Sequence, residues 1–194
     1  MDCLLDGPRY IIMTKFNADQ LRKLDPNETV EPIKRFPLYF ILDDVWDTYN
    51  IGGIFRLADA LAVEKIYICG QSEIPPNHKI AKASVGTYKI VPWEYRSTAV
   101  EAIEQLRTQY ASTNNENDLK IISIEQADSS IPYTKYDYSF PLALIVGNET
   151  HGVCAEALAA SDAIVELPMH GVNKSLNVIV SAAIVGFHVY NKLV

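Results

Sequence analysis

Residues 142–146 read Leu-Ala-Leu-Ile-Val and are apolar at every position. A strand with one exposed face alternates apolar and polar residues, so an unbroken apolar run of strand length indicates burial on both faces. Mostly apolar runs of strand length occur at residues 38–42, 65–69 and 120–124, and helical stretches lie between them. This alternation predicts an α/β fold in which a mostly parallel sheet is flanked by helices.

The other elements are predicted from periodicity and from residues that favour helix ends. We expect further strands at residues 88–91 and 164–167, and helices at 17–24, 51–61, 97–110, 153–160 and 176–192. The expected N-caps of four of these helices are Asn17, Asn50, Ser97 and Ser175. Asp25-Pro26 should end the first helix, and residues 114–118 should form a polar loop. We expect one domain at residues 38–194, preceded by an N-terminal extension at residues 1–37.

Composition narrows the class of protein. No apolar run approaches the roughly 20 residues that span a bilayer, and residues 1–9 lack a basic-then-apolar signal pattern. The three cysteines, Cys3, Cys69 and Cys154, are widely separated, which favours a reducing compartment over a disulfide framework. The four histidines show no metal-ligand spacing. We therefore expect a cytoplasmic protein with neither a membrane segment nor a metal site.

The common nucleotide and hydrolase fingerprints do not occur in this sequence. No G-x-G-x-x-G follows a strand, and there is no G-x-x-x-x-G-K-[ST], no G-x-S-x-G and no H-E-x-x-H. A dinucleotide-binding dehydrogenase, a P-loop nucleotidase and an α/β-hydrolase are therefore disfavoured. In parallel sheets ligands bind beyond the carboxyl ends of the strands, so the loops after the predicted strands come first in a search for chemistry.

Three such segments carry an unusual density of Gly, Asn, Glu and Ser. They are Asn50-Ile-Gly-Gly-Ile-Phe-Arg56, Gly147-Asn-Glu-Thr-His-Gly152 and Leu167-Pro-Met-His-Gly-Val-Asn-Lys-Ser-Leu-Asn-Val178. Each has a purely structural explanation as well. The first is consistent with a capped helix bearing a surface arginine, the second with a turn whose carboxylate favours a helix N-terminus, and the third with Ser175 as an N-cap.

Taken together and in this order, the segments resemble the three signature motifs of the SpoU (TrmH-like) family in the SPOUT superfamily of RNA methyltransferases. The first family motif, approximately N-x-G-x-x-x-R, is matched by Asn50, Gly52 (better than Gly53) and Arg56. The second motif, an apolar strand followed by G-x-E-x-x-G, is matched by Gly147, Glu149 and Gly152. The third motif, I-P-M-x-G followed by S-L-N-V, is matched by Leu167-Pro-Met169, Gly171 and Ser175-Leu-Asn-Val178. The departures are Leu167 in place of isoleucine and His151 inside the second motif. The resemblance covers about residues 38–192.

This resemblance implies a deep trefoil knot in the C-terminal part of the fold, and S-adenosylmethionine as the cofactor. The cofactor would lie in the loops after Ile124, after Val146 and from Leu167 to Leu176. Gly147 and Gly171 would allow its adenine to approach the backbone closely. The implied cofactor-binding residues are Ser123, Ile124, Gly147, Leu167, Met169, Gly171, Ser175 and Leu176. Family members are typically homodimers whose site is completed across the interface, and residues 178–189 are either an interface helix or core packing only.

The implied reaction transfers a methyl group from a sulfonium to a ribose 2′-hydroxyl of RNA. The implied catalytic residues are Arg56, Asn50, Glu149, Ser175 and Asn177. A guanidinium does not deprotonate in proteins, so we interpret Arg56 as a charged fork that holds a phosphate and stabilises developing negative charge, rather than as the base. The substrate is expected to be tRNA, with rRNA as the rival.

A net charge of −7 opposes RNA binding, because phosphate contacts need Lys and Arg. Residues 78–96 offer a local basic face, with His78, Lys79, Lys82, Lys89 and Arg96 against Glu94 alone. We expect Lys79, Lys82 and Arg56 to contact RNA. Two alternatives remain open, which are a catalytically inactive RNA-binding or interaction protein of this fold and an unrelated small-molecule enzyme.

Overall fold

The computed structural model describes residues 15–24, 33–112 and 118–194. Its strands are β1 (Phe36–Asp43), β2 (Val63–Cys69), β3 (Trp93–Arg96), β4 (Lys120–Ile124), β5 (Ile131–Pro132), β6 (Leu142–Gly147) and β7 (Ala163–Glu166). Its α-helices are α1 (Ala18–Lys23), α2 (Thr48–Ala60), α3 (His78–Ser84), α4 (Ala99–Ala111), α5 (Ala155–Ala160) and α6 (Val178–Leu193). The predicted end of the first helix at residues 25–26 and most of the predicted loop at 114–118 lie outside the described residues.

The strands form one sheet in the order β3-β2-β1-β6-β4-β7-β5, and every neighbouring pair is parallel. Consecutive strand residues point to opposite faces, so Phe40 and Leu42 join a core with α2, α3 and α6, whereas Tyr39 and Ile41 join a second core with α4 and α5. The prediction of a mostly parallel sheet, buried on both faces and flanked by helices, is confirmed.

One predicted strand is wrong. Residues 88–91 do not pair with the sheet; instead Thr87–Lys89 form a 3-10 helix, and the strand β3 begins two residues later. Val85 and Gly86 both have positive φ and start this turn, which is closed by the N–H groups of Ile90 and Val91 donating to the Thr87 carbonyl at 3.0 and 2.9 Å. The apolar residues of this segment pack on the core without hydrogen-bonding to a neighbouring strand. Their apolar pattern therefore reflects burial and not strand structure.

One of the four predicted N-caps is confirmed, and the other three are wrong by one to three residues. Asn17 caps α1 as predicted, but Thr98 rather than Ser97 caps α4. Asn177 rather than Ser175 caps α6, through its Oδ1, which accepts from the Ile179 N–H at 2.9 Å. Asp47 caps α2, accepting from the Tyr49 N–H at 2.8 Å, and this leaves the Asn50 side chain available for other partners.

The sheet places several loops at one edge. The order of the strands reverses between β1 and β6, which lie side by side with Asp43 opposite Gly147. Such a reversal opens a crevice at the carboxyl ends of the two strands, which is where parallel sheets bind ligands. The loops that follow β1, β4, β6 and β7 all emerge at this edge. In the parts of the chain that the structure describes, no helix is long and apolar enough to cross a membrane.

Candidate active site

A cavity of about 560 Å³ opens at this edge of the sheet. Its walls come from the ends of β4, β6 and β7, from the turn after β6, and from the loop that leads into α6. Cavities of this size hold small organic ligands and cofactors. Eight of the residues predicted from the sequence line it: Ile124, Gly147, Glu149, Leu167, Met169, Ser175, Leu176 and Asn177.

A chain of hydrogen bonds joins the three motif segments. The Asn50 amide donates from Nδ2 to Glu149 Oε1 at 2.8 Å, and Asn177 donates from its own Nδ2 to Asn50 Oδ1 at 3.0 Å. Residues about 100 and 127 positions apart in the chain therefore meet at one side chain. Asn50 is buried, with only 5% of its surface exposed, so it ties the second and third segments to the start of α2.

Glu149 receives more hydrogen bonds than any other exposed carboxylate near the cavity. Its two oxygens accept from the backbone N–H groups of Trp46 and Asp47, each at 3.2 Å, in addition to the bond from Asn50. Partial burial raises the pKa of Glu149, but the hydrogen bonds to its ionised form outweigh that effect and hold the pKa below its ordinary value. The carboxylate is therefore ionised and fixed in orientation at neutral pH.

This lowered pKa gives a test of the hydrogen-bond cluster by pH. A depressed folded-state pKa contributes stability that is present above the ordinary glutamate value and is lost as pH falls through the folded value. Glu149→Gln should therefore unfold at a lower urea concentration than the unchanged protein at about pH 7, and the difference should shrink below about pH 4. Urea titrations at both pH values measure this.

Glu104→Gln is the matched control for that experiment. Glu104 lies exposed on α4, and its carboxylate accepts no hydrogen bond from a described residue. Its substitution should move the urea midpoint little at either pH. A Glu149→Gln difference that stays constant from neutral to acid pH would contradict the assignment of the carboxylate charge to this cluster.

The turn after β6 is held by Asn148. Its Oδ1 accepts from the N–H groups of Thr150 and His151 at 2.8 and 3.0 Å, and its Nδ2 donates to the Asp44 carbonyl at 2.8 Å. Asn148 and Gly152 form an antiparallel bridge, which folds the turn back over Gly147. A Cβ on Gly147 would collide with the backbone of Gly152 and Val153. The group that packs closely against Gly147 is thus the backbone of its own turn, whereas the resemblance implied that the cofactor would pack there.

Two carboxylates that position this turn were not predicted. Glu125 accepts the Val153 N–H at 2.9 Å and occupies the space beside Gly152, whose φ is +70°. Asp43 is buried and accepts the Cys154 N–H at 2.7 Å. Both residues stand at the carboxyl end of a buried strand, and that signal was available in the sequence.

Two of the predicted cofactor-binding residues do not meet the cavity. Ser123 is fully buried, and its hydroxyl shares a 2.8 Å hydrogen bond with the hydroxyl of Ser161 on the opposite face of the sheet. Only one of two consecutive strand residues can face a given side, and here that residue is Ile124. Gly171 is exposed, and a Cβ placed there would meet nothing within 4 Å.

Arg56 does not line the cavity of its own chain. It is exposed on α2, and no described residue forms a hydrogen bond or an ion pair with its guanidinium. The two glycines before it are packing positions: a Cβ on Gly52 would collide with Ala83 of α3, and one on Gly53 with Ile179 of α6. Helix α2 is therefore held tightly between two helices, with Arg56 turned towards solvent.

The predicted basic face is only partly available. Lys79 and Lys82 are exposed on α3, which packs along α2. Lys89 instead donates to the carbonyls of Arg22 and Leu24 at 2.9 and 2.6 Å, and it holds the end of α1. Arg96 bonds to Glu94 and to neighbouring groups on the same side of the sheet. Two of the five predicted cations are therefore engaged within the chain.

The Cys154 thiol is poorly suited to nucleophilic chemistry. Partial desolvation, together with the neighbouring Asp43 carboxylate, raises the pKa of the otherwise exposed Cys154 thiol to about 11, so its reactive thiolate form is scarce at neutral pH. Within residues 15–24, 33–112 and 118–194, no group of three His, Cys, Asp or Glu side chains is placed to hold a metal ion.

Residues 37–187 match the sequence profile of the SpoU rRNA Methylase family. The chain is 26% identical over 193 residues to YacO of Bacillus subtilis strain 168, whose name assigns it to the TrmH family of tRNA/rRNA methyltransferases. That alignment covers 99% of this chain and 74% of YacO.

Two solved structures share the fold. The AdoMet-bound rRNA methyltransferase from Sinorhizobium meliloti is 26% identical with a TM-score of 0.71, over 90% of this chain and 60% of that one. The SpoU methyltransferase AviRb from Streptomyces viridochromogenes, in complex with AdoMet, is 22% identical with a TM-score of 0.74, over 83% and 59%. The chain thus spans about 60% of the length of these two solved proteins.

Proposed function

The chain belongs to the SpoU rRNA methylase family, and from this membership we propose that it transfers a methyl group from S-adenosylmethionine to a ribose 2′-hydroxyl of RNA. The observation that carries the proposal is the convergence of the three motif segments on one cavity through Glu149, Asn50 and Asn177. A degenerate relative used only for binding would have no need to keep this buried connection. The proposed substrate is tRNA, with rRNA as the alternative.

The chemistry of the cavity fits S-adenosylmethionine. Ile124, Leu167, Met169 and Leu176 give apolar surface for an adenine ring, and the loops that carry them offer backbone N–H and C=O groups to its edge. Three carboxylates, those of Glu125, Glu149 and Glu166, face the cavity and suit a ligand that carries a sulfonium and an ammonium. When bound, this cofactor supplies an electrophilic methyl group.

The chain's own residues would orient the ribose and the phosphate. Glu149 and Asn50 hold each other fixed and present polar atoms beside the cavity, so the ribose is positioned without reorganisation. A guanidinium stabilises the charge that develops as the hydroxyl attacks, and its fork matches a phosphate. We assign that role to Arg56.

Since Arg56 does not line its own cavity, we propose that it reaches the cavity of a second copy of the chain. The exposed face of α2 carries Tyr49 and Arg56 seven residues apart, and the adjacent helix α6 exposes Val180 and Phe187 with the same spacing. Helices α2 and α6 pack side by side, so these residues can form one continuous surface. The three exposed large apolar side chains on this surface, Tyr49, Val180 and Phe187, support a two-fold homodimer.

Phe187→Glu tests this dimer. Phe187 is 45% exposed in the single chain, so the substitution should leave folding almost unchanged. A carboxylate buried in an interface costs several kcal/mol, so dissociation should become at least about tenfold easier. Sedimentation velocity across a range of protein concentrations measures this, and Glu104→Gln on the opposite face is the control. A variant that stays as dimeric as the unchanged protein would contradict the α6 interface.

We also propose the deep trefoil knot that the family membership implies. Its support lies in the segment between β5 and β6, which covers α6. The ring of His188 contacts those of Tyr133 and Tyr138, with centroids 5.2 and 5.6 Å apart, and Lys192 donates to the Tyr136 carbonyl at 3.3 Å. In the loop after β4, Gln126 donates to the Lys174 carbonyl at 2.7 Å. These contacts between the C-terminal segment and the chain that precedes β6 support the proposal.

Lys79 and Lys82 are proposed to bind the RNA backbone. They stand exposed on α3 beside the helix that carries Arg56, so a phosphate chain that reaches Arg56 can extend over them. This local positive surface would offset the acidic net charge of the whole chain.

The deciding experiment is methylation of RNA by the purified protein with methyl-labelled S-adenosylmethionine. The RNA is taken from cells that lack the gene, so that the target site is unmodified. Label should appear in a nucleotide whose 3′ phosphodiester resists alkali, because alkaline cleavage requires a free 2′-hydroxyl. Label on a base would refute ribose specificity. Cofactor binding without transfer to tRNA or rRNA would favour the inactive binding protein.

A further inference from the structure

An exposed tryptophan stands at the rim of the cavity. Trp46 lies in the loop between β1 and α2, and 48% of its surface is open to solvent. Tryptophan has a large, flat apolar surface, so a half-exposed indole beside a cavity offers a free face to a planar ligand group. The second tryptophan, Trp93, lies on the edge strand β3, three strands away from β6.

Two contacts fix this indole beside the cavity. The backbone N–H of Trp46 donates to Glu149 Oε2 at 3.2 Å, so the loop is tied to a carboxylate that lines the cavity. The ring of Trp46 meets that of His151 in a T-shaped contact, with centroids 6.1 Å apart and planes at 79°. His151 also lines the cavity. The T-shaped contact orients the indole while leaving about half of it uncovered.

We propose that Trp46 stacks against the base of the nucleotide whose ribose is methylated, with His151 holding the indole in position. The inference rests on the proposed function. If the ribose lies at Glu149 beside the cavity, a base that projects towards the rim would reach Trp46, whose backbone N–H is bonded to Glu149. Proteins hold unstacked RNA bases on aromatic faces, and such a contact tolerates any base because every base has a π-face.

Binding of a short RNA tests the proposal without activity. The chain has two tryptophans, so Trp93→Phe leaves Trp46 as the only indole, and Trp46→Phe leaves Trp93. The probe is a single-stranded oligoribonucleotide of about 12 nucleotides, compared with an abasic oligonucleotide of the same length. The intact RNA should quench the fluorescence of the Trp93→Phe protein, and the abasic one should not. Neither should quench the Trp46→Phe protein.

Affinity separates stacking from a structural role. Trp46→Ala should weaken binding of the intact oligonucleotide by about 5- to 150-fold, the range for one lost base–aromatic stack. Trp46→Phe should restore most of it, because a phenyl ring keeps a stacking face. The affinity for S-adenosylmethionine and the urea midpoint should not change, since the hydrogen bond to Glu149 uses the main chain.

The outcomes distinguish this inference from the proposed function. If the unchanged protein methylates RNA but intact and abasic oligonucleotides quench Trp46 equally, the stacking role is wrong and the enzyme assignment stands. If Trp46→Ala becomes monomeric and loses affinity only for that reason, Trp46 is an interface residue and the inference also fails. Base-dependent quenching without any methyl transfer would support stacking and count against the proposed function.

Discussion

Arg56→Ala should lower the rate of RNA methylation by about 100- to 1000-fold, the usual cost of removing one preorganised group that stabilises transition-state charge. The affinity for S-adenosylmethionine should stay the same, because Arg56 does not line the cavity. Folding should also be unaffected, since the side chain is exposed and bonds to no described residue. Single-turnover methylation and calorimetric titration of the cofactor measure the two effects separately.

Two variants control for charge and for geometry. Arg56→Lys keeps the charge but loses the planar fork, so it should recover only part of the rate. Arg107→Ala removes another exposed arginine, on α4 at the opposite face of the sheet, and should leave the rate unchanged. Near-normal methylation by Arg56→Ala would refute the role assigned to it.

A mixing experiment tests whether Arg56 acts on the second copy. An equimolar mixture of Arg56→Ala and Glu149→Ala chains should form heterodimers in which one site joins an intact Arg56 to an intact Glu149. Random pairing in a two-fold dimer gives about a quarter of the unmixed activity. If Arg56 acted within its own chain, each chain of the heterodimer would lack one group, and the mixture would stay inactive.

Gly147→Ala should lower the free energy of unfolding by about 3 kcal/mol, the upper part of the range for overpacking, because the added Cβ meets backbone that cannot rotate away. For a chain of this size the unfolding temperature should fall by about 6–12 °C. The turn that carries Glu149 would be displaced, so methylation should fail as well. Differential scanning calorimetry gives the first quantity.

Gly171→Ala is the matched control. Its Cβ would meet nothing within 4 Å and its φ is not in the left-handed region, so stability should change by less than about 0.5 kcal/mol. If the cofactor packs against the backbone here, as the family resemblance implies, its affinity should fall by about tenfold, a loss near 1.4 kcal/mol. Equal effects of the two substitutions on stability would contradict the prediction for Gly147→Ala, because they would show that the backbone of Gly152 and Val153 can move to accept the added Cβ. An unchanged cofactor affinity would show that Gly171 does not border the cofactor.

Much of the architecture is determined by local sequence. The run at residues 142–146 is apolar at every position and its counterparts are mostly apolar. A strand has side chains on two faces, so this pattern is satisfied only when both faces are covered. The alternation of such runs with helical periodicity predicts parallel strands joined by helices. The start of α1 is also determined by local sequence. The Asn17 side chain that caps it binds N–H groups only two and three residues further along the chain.

The motif residues could be found from the sequence, but not their partners. Asn50 looked like an N-cap because its type suits that position, yet Asp47 fills it and Asn50 binds Glu149, 99 residues away. Lys89 looked like a surface cation, yet it holds the end of α1. Such choices depend on which groups meet after folding, and spacing along the chain does not contain that information.

By itself, the sequence determined the class of fold, the position of most of its strands and the three motif segments that meet at the cavity, since periodicity and short motifs are properties of neighbouring residues. Only the tertiary structure decided the order of the strands, that Ile124 and not Ser123 faces the cavity, that the space above Gly147 is filled by its own turn, and that Arg56 does not line the cavity of its own chain. Each of these is a contact between distant parts of the chain, and its energy exists only once the sheet has brought them together.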